Sequence, residues 1–268
     1  MATMPLVFFG HGSPMIALET NAISQAWAEI AAEIPKPKAI LAISAHWETP
    51  VTAVTAMARP RTIHDFGASF PKALFDMQYP APGDPALARR VAELLTPTPV
   101  ALDDRQWGLD HGTWSVLVKA YPQADIPVVQ LGLDVNLTPA QRFDIGRRLS
   151  PLRDEAVLIM GTGNIVHNLS AMNWGDRDCA PFDWSARFMG EIREAILKDE
   201  PERAIEFARM GDDARRAAPT PEHYWPLLYV LGARRPNDAV RLVNDRIEHG
   251  SLGMTSVVFE PQAVRAAA

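Results

Sequence analysis

Two short apolar runs that each lead to a histidine constrain the fold more than any other feature of the chain. The first run, residues 6–9, stops at a glycine pair that brackets His11, and the second, residues 39–43, is followed within three residues by His46. Apolar runs of this length, bounded by turn residues, are typical of buried strands. In open α/β sheets, ligands bind outside the carboxyl ends of parallel strands. We therefore predict a ligand site where these two strands end.

The order of the remaining patterns predicts an α/β fold. Between the two strands, Thr20 or Asn21 can cap a helix that runs to about Ile34, and further apolar runs alternate with segments of helical periodicity. Strands are predicted at 6–9, 40–44, 51–57, 126–132, 156–160 and 255–259, and helices at 21–34, 84–95, 111–121, 138–149, 184–198, 202–210 and 222–231. We expect one domain over residues 1–268, with a central, mostly parallel or mixed β-sheet flanked by helices and a site at the C-terminal ends of the strands.

Residues 58–83 form a long irregular segment that is rich in proline, glycine and aromatic residues. A loop of this length within a compact domain is usually functional or a linker, and its bulky apolar residues argue against a linker. We interpret it as a wall or lid over the site. An anionic substrate would need a cation, and this segment offers Arg59, Arg61 and Lys72, although solvation at the surface is the more frequent role of such residues.

Composition favours a small-molecule partner in the cytoplasm. The net charge is -6, and the basic residues are scattered rather than gathered into the patch that nucleic acid requires. The one cysteine, Cys179, excludes an internal disulfide and fits a reducing compartment. No apolar run approaches the roughly 18 residues of a membrane span. We expect a cytoplasmic protein that binds neither nucleic acid nor membrane and is a monomer or a small homo-oligomer.

The distribution of the seven histidines indicates a metal site. Six of them lie at element ends or in the long irregular segment: His11, His46, His64, His111, His167 and His223. Imidazole suits Fe, Zn, Cu and Ni, and three protein ligands leave positions open for substrate. We therefore predict a divalent metal held by His11, His46 and one further ligand, with another histidine as acid or base. The alternative is structural, since histidines at strand ends also cap backbone carbonyls or bind phosphate.

Other catalytic motifs are missing from the sequence. The glycine-bounded segments match neither a G-x-S-x-G elbow nor a dinucleotide fingerprint, and the chain has no Walker lysine and no H-E-x-x-H or C-x-x-C pair.

Four aromatic residues have two possible roles. They could form a pocket for the ring of a substrate or belong to the core: Trp47, Phe66, Trp114 and Trp225.

Seven motifs, taken together and in order, resemble one known family. They are GHGSP at 10–14, SAHW at 44–47, IHDF at 63–66, YPAPG at 79–83, DHGTW at 110–114, GTGN with VHN at 161–168, and HYWPL at 223–227. The chain is similar from about residue 5 to 259 to the class III extradiol ring-cleaving dioxygenases of the DOPA-dioxygenase type, in the LigB-like superfamily. This resemblance implies an α/β domain that carries a non-haem Fe(II) and cleaves a catechol with O2 beside its two hydroxyls.

The resemblance also implies a role for individual residues. His11 and His46 would be metal ligands with His223 as the third, although many superfamily members have a glutamate there and Glu222 adjoins His223. His167 would be the catalytic acid and base, first accepting a catechol proton and later returning one. Substrate-orienting roles are expected for His64, His111 and Tyr224, and the alternative for Tyr224 is packing beneath the site.

Two other functions fit the same residues. A zinc hydrolase could use the three-histidine site with water at the open position. A non-catalytic metal-binding relative could keep the scaffold without turnover. Zinc can also occupy the site of purified protein even if iron is the active metal, because Zn²⁺ outranks Fe²⁺ in affinity for such ligands.

Overall fold

The computed structural model describes residues 3–262, which are organised around a mixed β-sheet. The strands are β1 (Leu6–Gly10), β2 (Ala39–Thr49), β3 (Ala53–Thr55), β4 (Arg61–Thr62), β5 (Ala101–Asp103), β6 (Gly108–Leu109), β7 (Val128–Asp134), β8 (Val157–Gly163), β9 (Asp238–Val243), β10 (Ile247–Glu248), β11 (Leu252–Gly253) and β12 (Ser256–Pro261). Eight of these form the large sheet, in the order β5-β3-β7-β2-β8-β1-β12-β9, and the other four form two small pairs, β4 with β6 and β10 with β11.

The helices connect these strands. They are α1 (Ala22–Glu33), α2 (Lys72–Phe75), α3 (Pro85–Leu94), α4 (His111–Ala120), α5 (Pro139–Leu149), α6 (Asp183–Lys198), α7 (Pro201–Ile205), α8 (Asp212–Ala217) and α9 (Trp225–Ala233). Single 3-10 turns lie at Pro14–Ala17, Ser150–Glu155, Leu169–Ala171, Phe207–Met210 and Pro221–His223. In residues 3–262 we find no helix long and apolar enough to cross a membrane.

The centre of the sheet is parallel and its flanks are mixed. Strands β7, β2, β8 and β1 run parallel to one another, whereas β3 and β12 pair antiparallel with β7 and β1. Strand β8 lies between β1 and β2, so the carboxyl ends of these three strands meet at one edge. The predicted α/β fold with a mixed sheet flanked by helices is confirmed.

Alternation along the strands divides the core into two layers. In β1, Leu6 and Phe8 face one layer, which also contains side chains of α3, α5, α6 and α9. Val7 and Phe9 face the other layer, formed with α1 and α4. Successive strand residues point to opposite faces, so a strand that is apolar throughout must be covered on both sides. The fully buried pattern of β1 reflects this arrangement.

Several element boundaries differ from the sequence prediction. The second strand continues to Thr49, and the predicted strand 51–57 is paired only over Ala53–Thr55. Strands β5 and β9 lie at the sheet edges and were not predicted. Strand β5 has only three residues, of which Ala101 and Leu102 are exposed, and the half-exposed Arg241 interrupts the apolar run of β9. The predicted helix 202–210 is divided into α7 and a 3-10 turn, and the predicted helix 222–231 begins as a 3-10 turn.

Helices α5 and α9 cross at such close range that their backbones touch. A Cβ atom on Gly146 of α5 would overlap the carbonyl oxygen of Tyr229, and one on Gly232 of α9 would overlap the carbonyl oxygen of Phe143. A methyl group at either position therefore requires the two helices to separate. Helix α9 also packs on β8 and β1, so this crossing fixes the position of the segment that precedes α9.

We expect Gly146→Ala to lower the free energy of unfolding by about 2 kcal/mol, since overpacking in a filled core typically costs about 1–3 kcal/mol. Gly190→Ala is the matched control, because Gly190 is exposed on α6 and nothing lies within 4 Å of its added Cβ. That control should stabilise the protein by about 0.5–1 kcal/mol through helix propensity. Urea denaturation of both variants measures the difference, and equal effects would show that the two helices can move apart freely.

Candidate metal centre

Five of the six predicted histidines meet in one cavity at the carboxyl ends of β1, β2 and β8. The cavity has a volume of about 470 Å³, and its inner end is lined by the rings of His11, His46, His111, His167 and His223. These residues are up to 212 positions apart in the chain, and only the parallel order of the strands brings them together.

His11 directly follows β1, and a fixed hydrogen-bond chain orients its ring. The Thr162 hydroxyl lies 2.8 Å from the Gly112 carbonyl oxygen, to which it donates. That hydroxyl can therefore only accept from His11 Nδ1, which lies 2.9 Å away. With its proton on Nδ1, His11 presents the lone pair of Nε2 to the cavity. This Nε2 atom is 3.1 Å from Nε2 of His46.

His46 lies within an irregular part of β2. Ile43 pairs with Leu131 and Glu48 with Leu133, so five residues of β2 are accommodated against two of β7. Such irregularities turn a side chain away from the direction that a regular strand would give it. The His46 ring thus reaches the cavity, with its Nδ1 atom 3.3 Å from Oδ2 of Asp65.

His223 reaches the cavity because β8 ends in a glycine. A Cβ atom on Gly163 would overlap the His223 carbonyl oxygen, and the Asn164 amide donates to that same oxygen at 2.8 Å. The His223 Nδ1 atom lies 3.0 Å from Oε1 of Glu222. Nδ1 therefore donates to this carboxylate, and Nε2 is left with its lone pair.

The three rings form a cluster suited to a metal ion. Each of the residues His11, His46 and His223 offers one ring nitrogen, and these three nitrogens lie within 4.8 Å of one another. Each far nitrogen faces an oxygen, supplied by Thr162, Asp65 or Glu222, and the Asp65 oxygen is shared with His111. Acceptors of this kind fix the tautomer and orientation of metal-binding imidazoles.

Asp65 is a site residue that sequence reasoning missed. Its Oδ2 atom accepts from His111 Nδ1 at 2.9 Å and also faces His46, while its Oδ1 atom accepts from the His111 backbone amide at 2.8 Å. Its position beside His64 in the motif at 63–66 was the available signal. The carboxylate links the long 58–83 segment to two of the five rings.

The start of helix α4 holds His111 in place. Asp110 caps this helix through the Thr113 amide, and its buried carboxylate also accepts from Ser44 at 2.7 Å and from the Gln130 side chain. Burial and the nearby Asp65 raise the pKa of Asp110 to about 6. The helix therefore begins at His111 as predicted, with its first turn fixed to β2 and β7.

His167 lies against His223 on the outer side of the cluster. The two rings are parallel within 6° and their centroids are 3.5 Å apart. The His167 backbone amide donates to the Ala217 carbonyl oxygen at 2.7 Å, and the residue pairs with Leu252 as an isolated β-bridge. These backbone contacts hold the ring beside the cluster without making it one of the three converging donors.

Burial keeps these imidazoles neutral. It lowers the pKa of His11 and of His223 well below the ordinary value, and neighbouring rings add to the effect. Burial and the adjacent His111 lower the pKa of His46 to about 3 despite Asp65, and burial lowers that of His167 to about 4. For Asp65, burial is the largest single influence and opposes ionisation, but the hydrogen bonds and charge interactions with His111 and His46 together outweigh it, and the pKa is lowered. At neutral pH the rings of His11, His46, His167 and His223 are therefore uncharged. The carboxylates of Asp65 and Glu222 lie beside His46 and His223.

Two predicted substrate-binding residues lie outside the cavity wall. The His64 ring packs among Phe66 and Trp114 with its Nε2 atom 2.9 Å from the Met77 carbonyl oxygen. Tyr224 is fully buried and its hydroxyl donates to the Ala204 carbonyl oxygen at 2.8 Å, which matches the structural alternative given for it.

The predicted aromatic residues and the residues of the 58–83 segment also divide into those that line the cavity and those that do not. Of the four aromatic residues considered for a ring pocket, Phe66 lines the cavity, and the others do not: Trp47, Trp114 and Trp225. Phe66 and Phe70 bring the 58–83 segment into the cavity wall.

Comparison with known proteins identifies the class to which this fold and site belong. Residues 7–260 match the family model described as the catalytic LigB subunit of aromatic ring-opening dioxygenase. The chain therefore belongs to the LigB family and is an extradiol ring-opening dioxygenase.

Particular relatives agree with this assignment. The chain is 47% identical over 256 residues to the 4,5-DOPA dioxygenase extradiol of Escherichia coli K12, covering 95% of this chain and 94% of that protein. It is 35% identical to the 4,5-DOPA dioxygenase extradiol of Beta vulgaris over 257 residues, covering 94% and 95% of the two chains. A crystal structure of an uncharacterized Escherichia coli K12 protein superposes with a TM-score of 0.83 at 41% identity, covering 95% of this chain and 99% of that one.

The neutral cluster makes the stability of the metal-free protein depend on pH. Unfolded histidines titrate near 6.5, whereas in the folded protein the pKa values of His46 and His167 are about 3 and about 4. The unfolded state therefore binds more protons at mildly acidic pH, and stability falls as the pH is lowered. We expect the Tm of EDTA-treated protein to fall between pH 7 and pH 5, and to fall less in His46→Gln. His249→Asn is the control outside the cluster, and a wild-type Tm that is constant over this range would contradict the neutral assignment.

Proposed function

We propose that the protein uses a ferrous ion, held by His11, His46 and His223, to open the ring of a substituted catechol with O2. The observation that carries this proposal is the convergence of three neutral imidazoles at the open edge of the fold of a ring-opening dioxygenase family. The relatives named 4,5-DOPA dioxygenase extradiol support DOPA or a similar catechol as the substrate.

The donor set fits a divalent ion. The Nε2 atoms of His11 and His46 are 3.1 Å apart, and with both Nδ1 atoms protonated the two lone pairs face each other. This contact is repulsive without a cation and favourable around one. Imidazole is a suitable ligand for iron and also for zinc.

We assign the third ligand to His223 rather than to Glu222. The Glu222 carboxylate accepts the Nδ1 proton of His223, so it acts on the far side of the ring. A carboxylate in this position raises the basicity of the imidazole and fixes its direction. A glutamate ligand would bring its negative charge to the metal directly. Here the Glu222 carboxylate lies behind the His223 ring instead.

When bound, the ferrous ion would supply the positions at which both catechol oxygens and O2 meet, and a path for electrons from the catechol to O2. His167, neutral at pH 7, can accept a catechol hydroxyl proton at an imidazole nitrogen and later return it to the opening ring. His111 Nδ1–H donates a hydrogen bond to Asp65. The Nε2 atom of His111 therefore carries a lone pair that can accept a hydrogen bond from the substrate. The apolar wall formed by Phe66, Phe70 and Met172 limits the access of water to these groups.

The test is anaerobic reconstitution with Fe(II), followed by O2 uptake and absorbance after addition of DOPA, protocatechuate or caffeate. We expect a yellow ring-opened product that forms with an equal loss of O2 for at least one catechol. Zinc-loaded protein should bind the catechol and consume no O2, because zinc has no accessible redox change. Iron-loaded protein that consumes no O2 with any catechol would reject the proposal in favour of a zinc hydrolase or a non-catalytic relative.

His167→Ala tests the proton-transfer role. We expect kcat to fall by about 10²–10⁴-fold, the usual contribution of a positioned acid or base. Iron content and the Kd for anaerobic catechol binding should change little, since the three converging donors remain. His249→Ala, at the outer end of the same cavity, is the matched control. Full activity of His167→Ala would disprove the assignment.

The cytoplasmic location and the monomeric or small homo-oligomeric state remain predictions. The single cysteine supports a reducing compartment.

A further inference from the structure

The outer end of the cavity carries an ion pair that the proposed chemistry does not use. Arg177 lines this end, with its Nε atom 3.0 Å from Oε2 of Glu248. The Arg177 side chain is 39% exposed and that of Glu248 only 5%. Within residues 3–262, the two terminal amino groups of Arg177 have no hydrogen-bonding side chain or carbonyl. A guanidinium has five N–H donors, so most of them remain available to a ligand.

Glu248 is shared between two guanidinium groups, because Arg246 also forms an ion pair with its carboxylate. Glu248 raises the pKa of Arg177, and the carboxylates of Glu19 and Asp178 add to this effect. Glu19, another acid of the cavity wall, accepts from the Asn21 side chain at 3.1 Å. The Arg177 side chain thus lines the cavity with its Nε atom beside Glu248.

Strand pairing relates this ion pair to the histidine cluster. Glu248 of β10 lies directly opposite Leu252 of β11, and Leu252 lies directly opposite His167 on its other side. Residues that are directly opposite share one face of a sheet, and all three of these side chains line the cavity. Two strand spacings place the backbones of His167 and Glu248 about 10 Å apart. A catechol ring beside His167 could therefore direct a short side chain towards Arg177.

We propose that Arg177 binds a carboxylate at the end of the substrate's side chain and so makes the enzyme selective for acidic catechols over neutral or cationic ones. Arginine is suited to this role because its planar fork matches a carboxylate with two parallel hydrogen bonds. The cations first considered for an anionic substrate do not line the cavity: Arg59, Arg61 and Lys72. This inference rests on the proposed function, since it requires the catechol ring to bind at the histidine cluster.

The kinetic test compares DOPA with dopamine, which has the same catechol and amino group and lacks the carboxylate. In Arg177→Gln, we expect the ratio of kcat/KM for DOPA to that for dopamine to fall by about 10–100-fold, mainly through the KM for DOPA, since a charged hydrogen bond has been removed. Arg177→Lys should recover only part of the ratio, because it keeps the charge and loses the fork. Arg59→Gln, which alters an exposed arginine outside the cavity, should keep the wild-type ratio.

A binding measurement separates this inference from the proposed function. Calorimetry on zinc-loaded protein compares 3-(3,4-dihydroxyphenyl)propionate with 4-ethylcatechol, and we expect the wild type to prefer the acid and Arg177→Gln to lose that preference. If iron-loaded protein opens no catechol while this preference depends on Arg177, the proposed reaction is wrong and the role of Arg177 is supported. If Arg177→Gln keeps the wild-type preference and DOPA ratio, or if the wild type does not prefer the acid, the role of Arg177 is wrong whatever the reaction.

Discussion

The structure depends on the close approach of three imidazole rings. One ring nitrogen each of His11, His46 and His223 converges on a common point. Such a cluster is unfavourable by itself, and it exists because an oxygen atom lies behind each ring and orients it. The acceptors come from three separate parts of the chain: Thr162 in β8, Asp65 in the long 58–83 segment, and Glu222 in the turn before α9. The sheet, the segment over it and the turn before α9 thus each contribute to one histidine cluster.

Burial serves the chemistry of the site as well as its stability. The same desolvation that lowers the imidazole pKa values keeps the rings uncharged at neutral pH, which is the form that binds metal. The cost is a cluster of polar groups in the interior, and the hydrogen bonds to Thr162, Asp65 and Glu222 offset part of that cost. A metal ion would complete the compensation.

The cavity combines two environments along one wall. Its inner end offers neutral nitrogen donors, and its outer end offers a guanidinium held by a nearly buried carboxylate. The β10–β11 pair joins the two ends, because Leu252 lies between His167 and Glu248. Ring chemistry and recognition of the side chain can therefore be carried by different residues on a common scaffold.

Much of the fold was readable from local patterns. The apolar runs before His11 and His46, the helix cap at Thr20 or Asn21 and the segments of helical periodicity are short-range properties, and they predicted the α/β class and the edge where the histidines meet. The motif resemblance extended this to the family. Edge strands such as β9 were missed because solvent on one side removes the apolar pattern that reveals a strand.

The amino-acid sequence by itself was enough to identify the candidate histidines, the strands that end beside them and the class of protein. Only the tertiary structure decided which side chains and carbonyl groups contact each of these histidines. Asp65 contacts His46 and His111, and Arg177 forms an ion pair with Glu248 in the cavity wall. These contacts join distant segments of the chain, and no local spacing in the sequence encodes them. His64 and Tyr224 show the converse, since neighbouring backbone carbonyls engage their polar atoms away from the cavity. The physical reason is that local sequence sets backbone conformation, whereas strand order and register set the distances between side chains.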